Sequence, residues 1–301
     1  MPFNSFNFWL MIIKEKVKQL VWDCNRPFMA KRYYKKILGY PLDLSHPCDI
    51  NEKIQWLLCY SDTSRWVELS DKYRVREYMK SCDLENLLVK MYGAWDNANN
   101  IDFNSLPDKF VLKCNHDSGS FMIVDKNTGF NKQNVVEYFN KCLKIKYGYR
   151  WGELFYNKIK PLIIAEEYLE ETNSFSSSIV DYKVWCFDGN PYCIMTYYNR
   201  EKDHVYINSY DLEWNGHPER LITTDHYRVG DGIPKPRSLN KMLQAASILS
   251  IGFPEVRVDF YEINGNLYFG EMTFANSAGY TNNYTQEFLL ELGKQCVIPI
   301  R

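Results

Sequence analysis

Hydrophobic and polar positions alternate most regularly between Val256 and Ser277, in the stretch VRVDFYEINGNLYFGEMTFANS. Arg257, Asp259 and Tyr261 interleave with Val256, Val258 and Phe260, the two-residue period of a strand with one polar and one buried side. Asn264-Gly265 follows; both positions tolerate positive φ, so the pair predicts a tight hairpin turn. Leu267 to Glu271 predicts the returning strand. A second hairpin is predicted for Asp181–Phe187 and Pro191–Tyr198 around the turn Asp188-Gly189. A third joins Phe110–Leu112 to Phe121–Val124 through the small polar loop Asn115–Ser120. Leu162 to Leu169 reads as a buried strand running into acidic residues, Glu170 to Ser178 as a polar loop, and Tyr206 to Asn208 as a further short strand.

Elsewhere the period is helical. Phe8 to Leu38 predicts a basic helical stretch ending near Gly39-Tyr40-Pro41. Asp49 to Tyr60 predicts a helix with Asp49 or Asn51 as its cap and Ile54, Leu57 and Leu58 buried. Another capped helix begins at Ser70-Asp71-Lys72 and runs through Val75, Arg76 and Tyr78. Asn131–Ile145, Ser238–Leu249 and Gln286–Gln295 complete the set, and Gly93–Pro107 reads as a polar loop with a short extended segment. This mixture is an α+β chain without repeats or low-complexity linkers.

Composition narrows the function classes. At 301 residues the chain can bury a full core. Lys+Arg 36 against Asp+Glu 37 implies no broad electrostatic grip on nucleic acid. Aromatic residues make up 16%, which suits stacking clefts and ordinary core packing alike. Nine cysteines without a CxxC pair point to reduced thiols in a cytoplasmic protein rather than to a disulfide framework or zinc site. Met1 to Ile13 is apolar but too short to span a bilayer. Lys14, Lys16 and Lys18 follow it, the wrong order for a secretory signal. The segment reads either as a helix packed on the protein's own body or as a peripheral membrane contact.

The candidate chemistry starts from the hairpin. Its fold brings Asp259 near Glu271, and two close carboxylates repel unless a cation or shared proton neutralises them. Oxygen ligands suit Mg²⁺, which reaches for substrate phosphates as well. An amphipathic surface hairpin whose acids pair with Arg257 is the other reading. The loop Asn115–Ser120 can expose backbone N–H groups to phosphate, yet it matches neither a P-loop nor a dinucleotide-binding turn.

Taken in order, NEKIQW (Asn51–Trp56), DKYRVREY (Asp71–Tyr78), LPDKFVLKCNHDSG (Leu106–Gly119), AEEYL (Ala165–Leu169), DYKVWCFDG (Asp181–Gly189) and RVDFYEINGNLYFGEMTF (Arg257–Phe274) resemble the ATP-grasp superfamily. The wording is similar to its TupA-like branch, associated with teichuronopeptide and capsular polysaccharide biosynthesis. The resemblance implies an ATP-grasp fold, in which two α+β subdomains grip ATP between antiparallel sheets beside a helical N-terminal region. It implies a helical extension over 1–45, a preceding region over 46–105, a lid subdomain over 106–170 and a C-terminal subdomain with the metal site over 171–301. It further implies that Lys72 and Lys113 contact phosphates, that Asp117, Ser118, Gly119 and Ser120 cover them, and that Glu166, Glu167, Tyr168 and Leu169 form the hinge at the adenine and ribose. Arg257 and Lys183 would stabilise the transferring phosphoryl group. Asp259, Glu271 and Thr273 would hold Mg²⁺. Many ATP-grasp enzymes carry Asn where this chain has Thr273, so Thr273, Asn276 or water remains as the third ligand.

The chemistry so implied is an ADP-forming ligation. ATP phosphorylates a carboxylate, and an amine displaces the phosphate to leave an amide. The implied partners are a glycan, or its sugar-nucleotide or lipid-linked precursor, carrying a uronic-acid carboxylate, and an amino acid or amine. Contact surfaces are expected from the N-terminal region, Ser174–Ser178, and Asp225–Arg237 with Arg228, Lys235 and Arg237. The expected place of work is the cytoplasm, free or at the inner face of the membrane. A sugar kinase would use the same metal and lysines. A glycosyltransferase would show a metal-binding D-x-D, which is not evident, and a binding-only scaffold would have little reason to retain Lys113, Arg257, Asp259 and Glu271 together.

Overall fold

A computed structural model describes residues 5–170 and 174–299, with side chains from residue 14 onward. Among these, the chain runs α1 (Ser5–Cys24), α2 (Arg26–Leu38), α3 (Ile50–Tyr60), α4 (Ser64–Leu69), α5 (Val75–Ser81), β1 (Met91–Trp95), β2 (Lys109–Cys114), β3 (Phe121–Asp125), α6 (Lys132–Cys142) and β4 (Ile163–Glu167). It continues through β5 (Asp181–Phe187), β6 (Asn190–Tyr198), β7 (Val205–Tyr210), β8 (Tyr227–Val229), α7 (Leu239–Ser250), β9 (Val256–Ile263), β10 (Asn266–Thr273) and α8 (Gln286–Gln295). The helices and two sheets bear out the α+β expectation.

The basic N-terminal stretch is helical as expected and divides into two helices. Asn25 leaves helical geometry and its side chain accepts from the Phe28 N–H at 3.1 Å, while Pro27 sits in the first turn of α2 where its missing N–H costs nothing. The apolar run Met1–Ile13 lies outside the residues whose side chains are described. Among the described residues no helix is long and apolar enough to cross a membrane. Of the two candidate caps for α3, Asp49 caps, in a reciprocal capping box with Glu52. Asn51 instead bridges to the far end of the chain, donating to the Thr281 carbonyl at 2.8 Å and accepting the Thr281 N–H at 3.0 Å.

The smaller sheet has the order β1-β4-β2-β3 and is antiparallel throughout. It recruits the extended segment Met91–Trp95, which pairs with β4. Phe110, Leu112, Val124 and Ala165 point to one side, against Val135 and Phe139 of α6. The larger sheet has the order β10-β9-β5-β6-β7-β8, with only the β7–β8 pair parallel. Val184, Val256, Val258, Phe260 and Met272 bury one of its faces under α7 and the main core. The two-residue period leaves the opposite face to Arg257 and Asp259 of β9 and to Lys183 of β5.

The β9–β10 turn takes positive φ at both Asn264 (54°) and Gly265 (79°), as the dipeptide predicts. A bulge then falls between Phe269 and Glu271, and past it Glu271 stands opposite Asp259. Gly270 is the bulged residue. A Cβ there would lie 3.0 Å from the Asp259 carbonyl and 3.3 Å from the Tyr261 ring, so the position admits little else.

Candidate active site

Between the sheets lies a cavity of about 700 Å³. Lys113 and the loop Asp117–Ser120 reach it from the smaller sheet, Glu166–Leu169 from the end of β4, Lys183 and Glu271 from the larger sheet, and Lys72 from the turn before α5. The structure thus brings together residues that are up to 199 positions apart, Lys72 and Glu271 being the extremes.

Lys113 stands at the end of β2, and its ammonium lies 2.5 Å from Glu166 Oε2. Arg76 Nη1 lies 3.7 Å from the other oxygen of Glu166 and donates through Nη2 to the Val89 carbonyl at 2.9 Å. Lys72 donates to the Asp117 carbonyl at 2.6 Å and lies 3.7 Å from Glu271 Oε2, tying the loop to the larger sheet. The loop's root is fixed by Asn115, which is fully buried. Its amide donates to Asp71 at 2.7 Å and to the Lys160 carbonyl at 3.0 Å, and its oxygen accepts the Leu162 N–H at 2.6 Å. Asp71 also accepts the Tyr73 N–H at 2.9 Å, which positions Lys72. The loop's crown, Ser118 and Gly119, is exposed, and Gly119 takes φ +103°, open to glycine alone without strain. His116 is buried and outside the cavity lining. Burial holds its pKa down, against the opposing charge of Asp117. Burial likewise pushes the Cys114 thiol well above the usual range, followed by the charge of Asp117, which leaves it no nucleophile.

The larger sheet carries a denser arrangement. Arg257 donates through Nε to Asp259 Oδ1 at 2.7 Å and through Nη2 to Oδ2 at 2.8 Å. Lys183, the cross-strand neighbour of Asp259, adds a bond to Oδ2 at 2.5 Å. Arg257 also donates to Thr273 Oγ1 at 3.1 Å and, through Nη1, to Asn276 Oδ1. Burial opposes the charge on Asp259, yet Arg257 and Lys183 outweigh it and hold its pKa down. For Lys183 burial alone would lower the pKa; Asp181 and Asp259 override it and raise it.

This geometry bears directly on a metal. A carboxylate offers about four lone-pair positions, and three on Asp259 are taken by charged donors. One position remains, on Oδ1. Glu271 is open: its side chain is 38% exposed, lines the cavity and, among the described residues, accepts from Thr273 Oγ1 at 3.4 Å and lies 3.7 Å from Lys72. Among the described residues no group of three or more His, Cys, Asp or Glu could hold a metal. The donors fit Mg²⁺ only in the form that takes one or two carboxylates and completes its octahedron with substrate phosphates and water. Thr273 and Asn276, the alternatives for a third ligand, both already accept from Arg257.

Ser177 and Ser178 also line the cavity, whereas Arg228, Lys235 and Arg237 do not. Lys235 donates to the Glu213 carbonyl at 3.3 Å, and Arg228 approaches His204 at 3.4 Å. Sequence reasoning missed Arg76, Arg200, Phe121 and Ile123, all of which face the cavity. For β3 the signal was available, because Phe121 and Ile123 are apolar at a two-residue spacing on the side that α6 does not cover.

A family model described as TupA-like ATPgrasp matches residues 52–297. No curated protein matches the chain. Among solved structures, the chain is similar to a D-alanine–D-alanine ligase from Bacillus anthracis at 15% identity and TM-score 0.42, over 76% of this chain and 67% of that one. It is similar to an L-amino acid ligase from Bacillus licheniformis at 11% identity and TM-score 0.43, over 70% of this chain and 44% of that one. A phosphoribosylamine–glycine ligase from Thermotoga maritima gives 11% identity and TM-score 0.40, over 70% and 49%.

Proposed function

The chain belongs to the TupA-like ATP-grasp family, and from that membership we propose that it is an ATP-dependent carboxylate–amine ligase of surface polysaccharide synthesis. Its substrates would be a uronic-acid carboxylate on a glycan or glycan precursor and an amino acid or other amine. The observation that carries this reading is the cavity between the sheets, where Lys72 and Lys113 converge with the loop Asp117–Ser120 from one side and Lys183 and Glu271 from the other. Free cysteines and use of ATP fit a reducing, cytoplasmic place of work.

Each residue has a task in such a reaction. The carboxylate oxygen attacks the γ-phosphorus, the bond to the β–γ bridging oxygen breaks, and ADP leaves. The amine nitrogen then attacks the acyl carbon, loses a proton, and expels phosphate that keeps one oxygen of the original carboxylate. Such phosphoryl transfer asks mainly for positioning and charge neutralisation. Lys113 and Lys72 would take phosphate oxygens, exchanging their present contacts with Glu166 and the Asp117 carbonyl for a more charged partner. Lys183, fixed by Asp259, would face the transferring group, and Arg257, which does not line the cavity, would add its charge from behind it. Mg²⁺, held by Glu271 with the remaining position of Asp259, would neutralise phosphate charge when bound. The exposed Ser118–Gly119 crown would close over the site and keep water from the acyl phosphate.

The test is ATP turnover with uronic-acid sugars crossed against an amino-acid panel, following nucleotide and glycan mass. ADP and phosphate that require both co-substrates, with a mass gain matching an amide, are expected. ADP with a phosphorylated sugar and no need for an amine would make the protein a kinase instead.

A further inference from the structure

The matched family region begins at residue 52, so α1 and α2 stand outside it. They are nonetheless built into the body. Trp22 packs with Met29 and Leu154 in a small core of its own. Gly152, at φ +95°, leaves the space the Trp22 ring occupies, and any Cβ there would collide with it. The Tyr149 hydroxyl donates to the Asp23 carboxylate at 2.8 Å. This docking creates a second cavity of about 530 Å³ between α1 and the segment 144–150. Its remaining wall is the loop Asp117–Ser120, which also lines the main cleft. One thin partition, with Ser118 and Gly119 exposed at its crown, therefore separates the two cavities.

The charge in this second cavity is one-sided. Lys18, Lys144, Lys146 and Arg150 line it, against Glu15 and Asp117. Glu15 is already 3.9 Å from Lys18, and Asp117 accepts the Ser120 hydroxyl. Among the described residues, no carboxylate forms an ion pair with Lys144, Lys146 or Arg150. Lys144, Lys146 and Arg150 are exposed at its mouth, and a concave site lined by uncompensated cations concentrates positive potential on whatever anion enters. A single carboxylate would neutralise only one of the three. A diphosphate, with more charge and several acceptor oxygens, matches the set better.

We propose that this basic pocket binds the diphosphate of an activated sugar and presents the sugar across the shared loop to the main cleft. The use made of the bound sugar rests on the ligase reading; the binding itself does not. The N-terminal helices would then be a specificity element that completes the pocket.

The experiment is calorimetric titration of the full chain, already saturated with a non-hydrolysable ATP analogue and Mg²⁺, using inorganic pyrophosphate and then UDP-glucuronate. Saturable one-site binding of pyrophosphate in the presence of the analogue is expected. The Lys144→Glu/Lys146→Glu variant should weaken it by ~10-fold or more, while affinity for the analogue shifts by less than ~3-fold, because salt screens charges beyond a Debye length. Lys144→Gln/Lys146→Gln, which removes charge without reversing it, guards against a folding defect and should give a smaller loss in the same direction. UDP-glucuronate binding tighter than pyrophosphate would assign a nucleotide-linked source. Retention on vesicles carrying a polyprenyl diphosphate, but not on vesicles of the free polyprenol, would assign a lipid-linked one. Pyrophosphate that binds only in competition with the ATP analogue, or equally well to the charge variants, overturns the proposal. Failure of the ATP analogue to bind, with pyrophosphate still sensitive to Lys144 and Lys146, would remove the ligase reading and leave the pocket.

Discussion

The two walls of the main cleft are built on opposite principles. On the larger sheet, Lys183 lines the cleft at 9% exposed, and Asp259 (1%) and Arg257 (9%), which do not line it, hold it from behind through short charged hydrogen bonds that meet on Asp259. On the smaller sheet, the Lys113 side chain is 24% exposed with one carboxylate partner, and the loop beyond it is exposed at Ser118 and Gly119. The first wall is set before substrate arrives; the second has contacts it can exchange. Transition-state charge is best stabilised by groups that need no reorganisation, whereas a lid must open and close. The difference predicts that substitutions on the first wall cost stability and that those on the second cost substrate affinity.

Substitutions can pull these two roles apart. The largest effect is expected from Asp259→Asn, which takes the bonded counter-charge from buried Arg257 and leaves buried Lys183 with Asp181 alone, 3.9 Å away. Breaking a buried pair in this way costs about 3–5 kcal/mol, read as a fall in denaturant midpoint together with loss of activity. Lys113→Ala should do the reverse. The ATP affinity should fall by ~10-fold or more as one charge-assisted contact is lost, while thermal stability changes little.

A third expectation concerns pH. Glu153 is buried, and desolvation, then the charge of Glu271, pushes its pKa up to about 8. Its folded pKa lies above its unfolded one, so the folded state holds the proton more tightly. Stability is then fully present below about pH 4.5 as far as this group is concerned, and falls as pH rises toward 8. Glu255, raised to about 7 by burial, acts in the same direction. Glu153→Gln should flatten the decline between pH 5.5 and 8 by on the order of 2 kcal/mol; an unchanged slope in denaturant titrations at the two pH values would contradict it. Smallest is Gly265→Ala, where a side chain must adopt φ +79°. A loss of about 1 kcal/mol is expected, with ATP affinity unaltered.

The rigid wall was also the more legible one. Alternation along Val256–Ile263 and the Asn264-Gly265 turn fix strand, face and partner from local chemistry alone, and so place Asp259 opposite Glu271. What local pattern could not supply was sheet order. Lys183 is the neighbour of Asp259 only because β5 lies beside β9, so a carboxylate expected to face a metal proves to be largely occupied by two cations. On the smaller sheet, local pattern predicts only a short extended segment for β1, since Gly93 and Ala94 carry little strand signal and its partner β4 lies some seventy residues on. The second, basic cavity was illegible for a similar reason: Lys18 meets Lys144, Lys146 and Arg150 only once α1 has docked.

The central claim, that the cleft activates a carboxylate as its acyl phosphate, is tested most directly with a uronic-acid substrate labelled with ¹⁸O in its carboxylate. Turnover with ATP and an amine should deliver one labelled oxygen into the inorganic phosphate for each amide formed. Phosphate free of label, or label retained in a phosphorylated sugar, would contradict the account.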